Sequence, residues 1–399
     1  MYPQNYTFIL PFCLLLICSV TVLAQNDKEP REAKMEVAVF KPYKQEATEE
    51  NVKKLKVPDG FKIEKFAEDL GNARMITVHN NGDVYVTARD EGKVFLLRDT
   101  NGDGKADHKS VVSELEDVHG IGINQNTMYL VTIKDLYATS INEDGTLGQL
   151  QKLVDDLPDG GQHPNRTIGF GPDNMLYMSI GSTCNACEEP NPEHATLLRF
   201  NPDGSGRKIF AHGLRNTTGF AFHPATNEFW GMDHNTDWLG DDESHEELNK
   251  IEEDAHYGWP FVYDDGKKMP HREPEEMEHE DFIEQTKFPV LMYQPHSSAM
   301  SFAFNTGDHF PEEYKLDAFV TMRGSWNREN PTGYKVVRLK FNDDNQPEEF
   351  EDFVTGFLLE DGRSHYGRLT GLTFHTDGSL LFTDDSNGVV YRVSYEGNN

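Results

Sequence analysis

Cysteine is scarce in this sequence of 399 residues, which contains four. Cys13 and Cys18 lie in the long apolar run of residues 8–23, and the other two, Cys184 and Cys187, form a CxxC pair. Because there is no second pair and no His after the motif, a four-cysteine zinc site and a covalently attached c-type haem are unsupported. In an oxidising compartment the pair is expected to form a disulfide across a tight loop, although CxxC alone leaves a redox or metal pair open.

Basic residues are also scarce. The sequence has 37 Lys and Arg against 68 Asp and Glu, which gives a formal net charge of -31. Such a charge repels phosphate backbones and anionic lipid surfaces. We therefore expect no nucleic-acid partner.

Long apolar runs are absent apart from residues 8–23, which precede Ala24 and a charged segment. This arrangement predicts a secretory signal peptide, residues 1–24, and a secreted or periplasmic mature chain without a transmembrane segment. A lipoprotein would use Cys18, but Ile17 stands where a small residue is needed. Residues 25–57 are rich in Lys and Glu, which predicts a tether or a helix packed on the rim of the next domain.

The remainder, residues 58–399, repeats one pattern: a short apolar run, a turn, and a second apolar run. Successive units start 45, 47, 49, 81 and 72 residues apart, the spacing of four-stranded blades with two long insertions. The sequence therefore predicts an all-β fold, a six-bladed β-propeller. The units start at Arg74, His119, Arg166, Arg215, His296 and Arg368.

Every unit starts with Arg or His, at the point where a propeller's innermost strands line the central channel. The sequence therefore predicts a basic ring around a small anionic ligand. Each of these Arg residues has a second interpretation, in which it braces neighbouring blades through a carbonyl or an Asp.

Two other segments carry weaker signals. The loop from Asp99 places oxygen ligands at positions 1, 3, 5 and 9 of a calcium loop, namely Asp99, Asn101, Asp103 and Asp107. Ser110 stands at position 12, where a bidentate Glu is usual, so a plain turn at a blade edge is the other interpretation. Residues 241–287 hold most of one insertion and are expected to be a solvated excursion without chemistry.

A string of short motifs carries a family resemblance. His163 lies in the loop before the third unit, and the motifs GLRN, DHNTD, LGDD, ELN and YGWP follow at residues 213–216, 233–237, 239–242, 247–249 and 257–260. Together they resemble the soluble quinoprotein sugar dehydrogenases, with the sorbosone and pyranose dehydrogenase branch closest, over residues 58–395.

The resemblance implies a propeller that binds pyrroloquinoline quinone (PQQ) and Ca²⁺, oxidises a small sugar, and passes electrons to an external acceptor, a quinone or a cytochrome. It implies that His163 is the general base. It assigns cofactor contacts to Arg215, Asn216, Arg323 and Arg368, and calcium-binding carbonyls to Asp233, His234 and Asn235, within one residue.

Three positions depart from the family pattern. Thr218 replaces a Gln, and Thr370 replaces a second Arg. Ser182 stands where glucose enzymes carry the Asp that orients the base, so another group such as Asn185 is expected to orient His163.

Two further functions remain open at this stage. A calcium-dependent propeller lactonase would need carboxylates and amides converging on the metal, whereas the predicted channel is lined by cations. A propeller that only binds a partner or a glycan would catalyse nothing.

Overall fold

Six antiparallel sheets of four strands each, and two further sheets of two strands each, make up the computed structural model, which describes residues 38–397. The predicted all-β fold and the six blades are confirmed. The predicted signal peptide and residues 25–37 of the predicted tether lie outside the described residues.

The blades follow one another along the chain, and each is listed here from its inner to its outer strand. Blade 1 comprises Ala73–Val78, Val84–Ala88, Lys93–Arg98 and His108–Glu114. Blade 2 comprises Gly120–Asn124, Thr127–Val131, Leu136–Ser140 and Gln151–Val154. Blade 3 comprises Ile168–Phe170, Leu176–Ile180, Thr196–Phe200 and Lys208–His212. Blade 4 comprises Thr217–Phe222, Phe229–Asp233, Glu246–Ile251 and Leu291–Tyr293. Blade 5 comprises Ala299–Phe304, Ala318–Met322, Lys335–Phe341 and Pro347–Val354. Blade 6 comprises Leu369–Phe374, Leu380–Asp384, Val389–Tyr395 and Phe61–Ala67.

The ring is closed by the first strand of the propeller. Phe61–Ala67 pairs antiparallel with Val389–Tyr395 and so forms the outer strand of blade 6. The Phe61 ring packs edge-on against Phe310 and Phe353, with ring centroids 4.8 and 5.1 Å apart. Since aromatic pairs add about 0.5–1.5 kcal/mol beyond their buried area, this cluster stabilises the junction of the two ends of the propeller.

A repeated hydroxyl group joins neighbouring blades near the axis. Thr87 Oγ1 accepts the backbone N–H of Met75 in its own blade and donates to His119 O of the next blade, at 3.0 and 2.8 Å. Thr321 and Thr383 bond in the same way in blades 5 and 6. These bonds fix the starts of the inner strands, where the site residues lie.

The segment before the propeller is packed on it. Tyr43–Lys44 pairs parallel with Ser364–His365, and the short helix Glu49–Val52 follows, with Thr48 as its N-cap. Val52 and Leu55 are buried in the core cluster that lies between blades 5 and 6.

The predicted excursion at residues 241–287 needs a correction. It contains Glu246–Ile251, which is the third strand of blade 4 and is largely buried. The charged residues of this strand can be buried because they have partners inside the protein. The rest carries the hairpin of Val262–Tyr263 and Lys267–Lys268 and the helix His279–Gln285. A 3-10 helix, Glu312–Tyr314, lies in the second long insertion. Among residues 38–397, no helix has both the length and the apolar character needed to cross a membrane.

Candidate active site

A cavity of about 310 Å³ opens where the inner strands of several blades begin. Its volume lies at the lower end of the usual range for small-molecule sites, ~300–1,000 Å³. The predicted site residues that line it are Arg74, His163, Arg215, Asn216, Thr218, His234, Asn235, His296 and Arg323. The structure therefore brings together residues from blades 1, 3, 4 and 5.

His163 is held by Ser182. Its Nδ1 lies 3.0 Å from the backbone oxygen of Ser182 and 2.9 Å from Ser182 Oγ. Because a carbonyl only accepts, Nδ1 carries the proton and Nε2 keeps its lone pair. Within the described part of the chain, Nε2 has no hydrogen-bond partner. His163 therefore presents a free base nitrogen at the cavity.

The expectation that Asn185 orients His163 is wrong, because Ser182 does so directly through its carbonyl and its hydroxyl group. Ser182 Oγ in turn donates to Cys184 O at 2.7 Å. Asn185 instead binds Arg215. A short hydroxyl can replace the usual Asp here because the loop brings its own carbonyl beside the ring.

Burial lowers the pKa of His163 to about 2, and the positive charge of Arg215 contributes to this shift. Because its pKa lies below the ordinary value of about 6.5, the ring is expected to stay neutral as pH falls from 8 to 5. Nitrogen-15 NMR of the cofactor-free protein measures this directly, with His163→Ala assigning the signal. A titration midpoint near 6.5 would contradict this prediction.

Arg323 provides the most available positive charge. Its Nε donates to Asp385 Oδ2 at 2.8 Å, and its Nη1 and Nη2 have no hydrogen-bond partner among residues 38–397. Arg74 binds the same carboxylate oxygen. Burial disfavours ionisation of Asp385, but Arg323 and Arg74 outweigh it and hold the pKa of this carboxyl below its usual value. One carboxylate thus faces two guanidinium groups, which leaves an excess positive charge.

Arg215 is more fully engaged. Its Nε and Nη2 donate to Asn185 O and Asn185 Oδ1, at 2.9 and 2.8 Å, and Nη2 also donates to Asp237 Oδ2 at 2.8 Å. Its Nη1 donates to His234 O at 3.2 Å. Since a guanidinium has five N–H groups, Arg215 keeps one for a ligand, on Nη1. Arg323 is better placed to bind a carboxylate, because both its Nη1 and its Nη2 lack a partner among the described residues.

Negatively charged side chains also line the cavity, and they come from blade 4 and the loop that follows its second strand. Glu246 and Asp237 line it together with the amides of Asn216 and Asn235. His234 O also lies close, since it accepts from Arg215, and a carbonyl oxygen has a second lone pair. Oxygen donors of these kinds suit Ca²⁺. The donor set fits the predicted metal, and the Arg residues fit a polycarboxylate.

The Asp233 side chain has a structural role. Its carboxylate accepts from the backbone N–H groups of Arg215 and Asn216, each at 2.9 Å, and from Thr217 Oγ1 at 2.7 Å. It is buried and does not line the cavity. Asp233 therefore holds the start of the inner strand in place, and calcium binding by its backbone stays a prediction.

The predicted basic ring is wrong for three of its six members, which do not line the cavity. Arg166 donates to the carbonyls of Pro158, Asp159, His163 and Ile133, so it braces the loop that carries the base. His119 is buried against Arg74 and Arg166, and Arg368 binds the carbonyls of Arg323 and Gly324. Direct contact of Arg368 with a cofactor stays a prediction.

Two of the three family departures, Thr218 and Thr370, lie in different surroundings. Thr218 lines the cavity and donates to Ala299 O at 3.0 Å. Thr370 is fully buried and donates to the carbonyls of Ala73 and Arg74. Arg74, whose carbonyl Thr370 binds, lines the cavity from blade 1.

The predicted second calcium loop is stabilised by its own backbone. Asp99 accepts from the N–H groups of Gly102 and Gly104 at 2.7 and 2.8 Å, and Asp107 accepts from Thr100. Asn101 and Asp103 likewise cap N–H groups two residues on. Calcium binding by this loop stays a prediction.

The predicted disulfide between Cys184 and Cys187 is confirmed. Glu189 lies within 4.8 Å of both sulfurs, but the oxidised cysteines offer no thiolate to a metal. The loop that the disulfide closes supplies Cys184 O to Ser182 and Asn185 to Arg215.

Sequence reasoning missed several residues of the cavity wall: Gln162, Asp237, Glu246, Trp326 and Asn327. Asp237 ends the DHNTD motif, and Glu246 directly precedes the ELN motif, so the motif string held a signal for both. Trp326 and Asn327 follow Arg323 closely in the chain but belong to no repeat.

Comparison with known proteins agrees with this geometry. The sequence profile of the TrAA12-like family matches residues 55–396. An uncharacterised protein of Borreliella burgdorferi is 30% identical over 370 residues, covering 88% of this chain and 93% of that protein. A pyrroloquinoline quinone-dependent sugar dehydrogenase of Hypocrea jecorina is 23% identical over 393 residues, covering 84% and 87%.

A calcium structure of a Trichoderma reesei protein of carbohydrate-active enzyme family AA12 has the same fold. Its TM-score is 0.73 at 21% identity, and the match covers 86% of this chain and 97% of that one. The resemblance to the soluble quinoprotein sugar dehydrogenases is confirmed. The profile match spans the propeller and every residue of the cavity, and the chain belongs to the TrAA12-like family.

Proposed function

We propose that this protein is a PQQ- and Ca²⁺-dependent dehydrogenase that oxidises a hydroxyl group of a small sugar. One observation carries the proposal: His163, with a free Nε2, lines the same cavity as Arg74, Arg215 and Arg323. A base beside three guanidinium groups suits an alcohol substrate next to a polyanionic cofactor.

The residues of the cavity fit both groups. The free Nη1 and Nη2 of Arg323 and the remaining N–H of Arg215 would bind carboxylates of PQQ. Glu246, the amide of Asn216 and the backbone of His234 and Asn235 would supply oxygens to Ca²⁺. When bound, PQQ would supply a hydride acceptor and Ca²⁺ would supply a Lewis acid.

The protein's own part in the reaction is proton transfer and orientation. His163 Nε2 takes the proton of the sugar hydroxyl, while Nδ1–H stays bound to Ser182 O and Oγ. Because Ser182 Oγ donates onward to Cys184 O, its lone pair stays directed at His163. Arg166 holds His163 O at 3.0 Å and so fixes the loop that carries the base.

We further propose the pyranose or sorbosone type of substrate, on the resemblance of the motif string. An external acceptor would receive the electrons, and a signal peptide at residues 1–24 would place the enzyme outside the cytoplasm. The Hypocrea jecorina relative is itself a PQQ-dependent sugar dehydrogenase by name.

A reconstitution assay tests the function. The cofactor-free protein is mixed with PQQ and Ca²⁺, and dye reduction is measured across aldoses, ketoses and aldonic lactones. We expect dye reduction with at least one sugar and none without PQQ. Lactone hydrolysis that needs Ca²⁺ but not PQQ would instead establish a propeller lactonase.

The disulfide provides a separate prediction. Reducing Cys184–Cys187 should weaken PQQ binding by up to about tenfold, because Asn185 then holds Arg215 less firmly. Both cysteines are half-buried, so a dithiol can reach them. Titration with PQQ before and after reduction measures the effect. The variant with both Cys184→Ser and Cys187→Ser is the control and should bind equally with and without dithiol.

A further inference from the structure

A buried imidazole and a buried carboxylate face each other beside the loop that the disulfide closes. His194 Nδ1 lies 3.5 Å from Glu189 Oε2, and the two side chains are 4% and 6% exposed. On the far side of the ring, His194 Nε2 lies 2.7 Å from Asp159 O. Because a carbonyl only accepts, Nε2 carries the proton of the neutral ring. Nδ1 therefore directs a lone pair at the carboxylate.

This pair lacks a positive partner. His194 Nδ1 has no hydrogen-bond partner within the part of the chain that the structure describes. Two acceptors that face each other away from water repel, and a buried carboxylate is costly unless a positive charge compensates it. A metal ion between His194 and Glu189 removes both penalties, since it accepts a lone pair from each. A proton on Nδ1 is the competing occupant.

The two sulfur atoms of the disulfide lie beside the same pair. The Sγ atoms of Cys184 and Cys187 and a carboxylate oxygen of Glu189 lie within 4.8 Å of one another. With His194, two sulfurs, one oxygen and one nitrogen come from residues 184–194 alone. Zn²⁺ binds four such ligands as a tetrahedron at about 2.0–2.3 Å, which places the ligand atoms about 3.5 Å apart. Small side-chain movements therefore suffice to form a zinc site.

Two of the candidate ligands are already oriented by other groups. Glu189 accepts from the backbone N–H and the hydroxyl group of Thr183, at 2.6 and 2.7 Å. His194 donates its other N–H to Asp159 O. Metal-binding histidines usually donate their second N–H to a carbonyl or a carboxylate, and metal-binding carboxylates are usually hydrogen-bonded too, because such contacts fix the ligands. Both side chains are thus held in the way that metal ligands are held.

We propose that the protein with reduced cysteines binds one Zn²⁺ through Cys184, Cys187, Glu189 and His194. The disulfide and the zinc ion are alternative ways to close one loop, because the sulfurs bond either to each other or to the metal. Zinc would thereby keep Cys184 O near Ser182 when the disulfide is open. The site is independent of the proposed function, since none of its four ligands lines the active-site cavity.

Reduction and metal binding balance separately. A thiol reductant passes two electrons and two protons to the disulfide, which becomes two thiols, and the reductant becomes a disulfide itself. Zn²⁺ then forms two Zn–S bonds and displaces the two thiol protons to water. Thiolate and imidazole ligands favour Zn²⁺ over Ca²⁺, so excess calcium should not compete at this site.

Zinc titration of the full protein, with excess Ca²⁺ present, tests the proposal. One sample is reduced with a phosphine and desalted under nitrogen, and the disulfide form is titrated in parallel. We expect one Zn²⁺ per reduced chain and none in the disulfide form at the same zinc concentration. Cd²⁺, as a second probe, should give thiolate-to-metal charge-transfer absorbance in the reduced form alone. Equal zinc binding by the two forms would overturn the proposal.

Variants then identify the ligands. His194→Gln should raise the Kd of the reduced protein for Zn²⁺ about tenfold or more, because an amide binds zinc more weakly than an imidazole. His212→Gln is the matched control, since His212 and His194 line the same neighbouring cavity but His212 is not among the proposed ligands. It should change Kd by less than about twofold. An unchanged Kd in His194→Gln would show that a proton occupies the pair and would refute the site.

Thermal unfolding of the unmodified sequence gives a readout that needs no variant. A ligand that binds only the folded protein raises Tm, so Zn²⁺ should raise Tm of the reduced form and leave that of the disulfide form unchanged. The same Tm for the reduced form with and without Zn²⁺ would contradict the proposal.

Discussion

Replacing His163 with Ala is expected to lower kcat for sugar oxidation by about 10² to 10⁴-fold, the usual cost of losing a positioned general base. The physical reason is the arrangement at Nδ1, whose N–H donates to both the carbonyl and the hydroxyl oxygen of Ser182. This leaves Nε2 as an uncharged acceptor facing the cavity. Binding of PQQ and Ca²⁺ should hardly change, because the base contacts the substrate rather than the cofactor.

His296 provides the matched control for this experiment. It lines the same cavity, but its Nε2 donates to Gly240 O at 2.8 Å and its Nδ1 lies 3.2 Å from Asn327 Nδ2. Both nitrogens are occupied, so His296→Ala should lower turnover less than His163→Ala. A larger loss in the His296 variant at full PQQ occupancy would show that the base has been assigned to the wrong blade.

Replacing Arg323 with Ala is expected to weaken PQQ binding by about 10- to 100-fold. A hydrogen bond to a charged group contributes about 1.5–3 kcal/mol, and each 1.4 kcal/mol is about tenfold in Kd. Arg323 has its outer nitrogens free, and its variant also leaves Asp385 facing the ligand with one guanidinium fewer. Calorimetric titration of each cofactor-free variant with PQQ measures the change.

Arg215→Ala should also weaken PQQ binding, but less directly, since most N–H groups of Arg215 bind Asn185, Asp237 and His234. Arg98 is the control outside the cavity, where it pairs with Asp83. Equal losses of PQQ affinity in the Arg323, Arg215 and Arg98 variants would refute the assignment of the cofactor site.

The fold was predictable from the sequence because a propeller repeats a local unit. Each hairpin carries its own alternation and turn residues, so the six starts and the limits of the ring could be read without long-range information. The disulfide was predictable for the same reason, since its cysteines are three residues apart.

The charge pairing in the cavity was not predictable in this way. Asp385 joins Arg74 and Arg323 across separations of 311 and 62 residues, and no local pattern encodes such contacts. Arg166 and Arg215 occupy equivalent positions, each two residues before the inner strand of its blade, yet their side chains diverge. Arg215 reaches the cavity, whereas Arg166 turns to the carbonyls of its own loop. Loop shape decided this difference.

Equilibrium titration of the cofactor-free protein with PQQ, in the presence of Ca²⁺ and then with a chelator in its place, tests the central claim most directly. We predict saturable binding of one PQQ per chain with Ca²⁺, a large loss of affinity with the chelator, and a sugar-dependent change in the absorbance of the bound cofactor. The absence of saturable PQQ binding with Ca²⁺ present would contradict the proposed function.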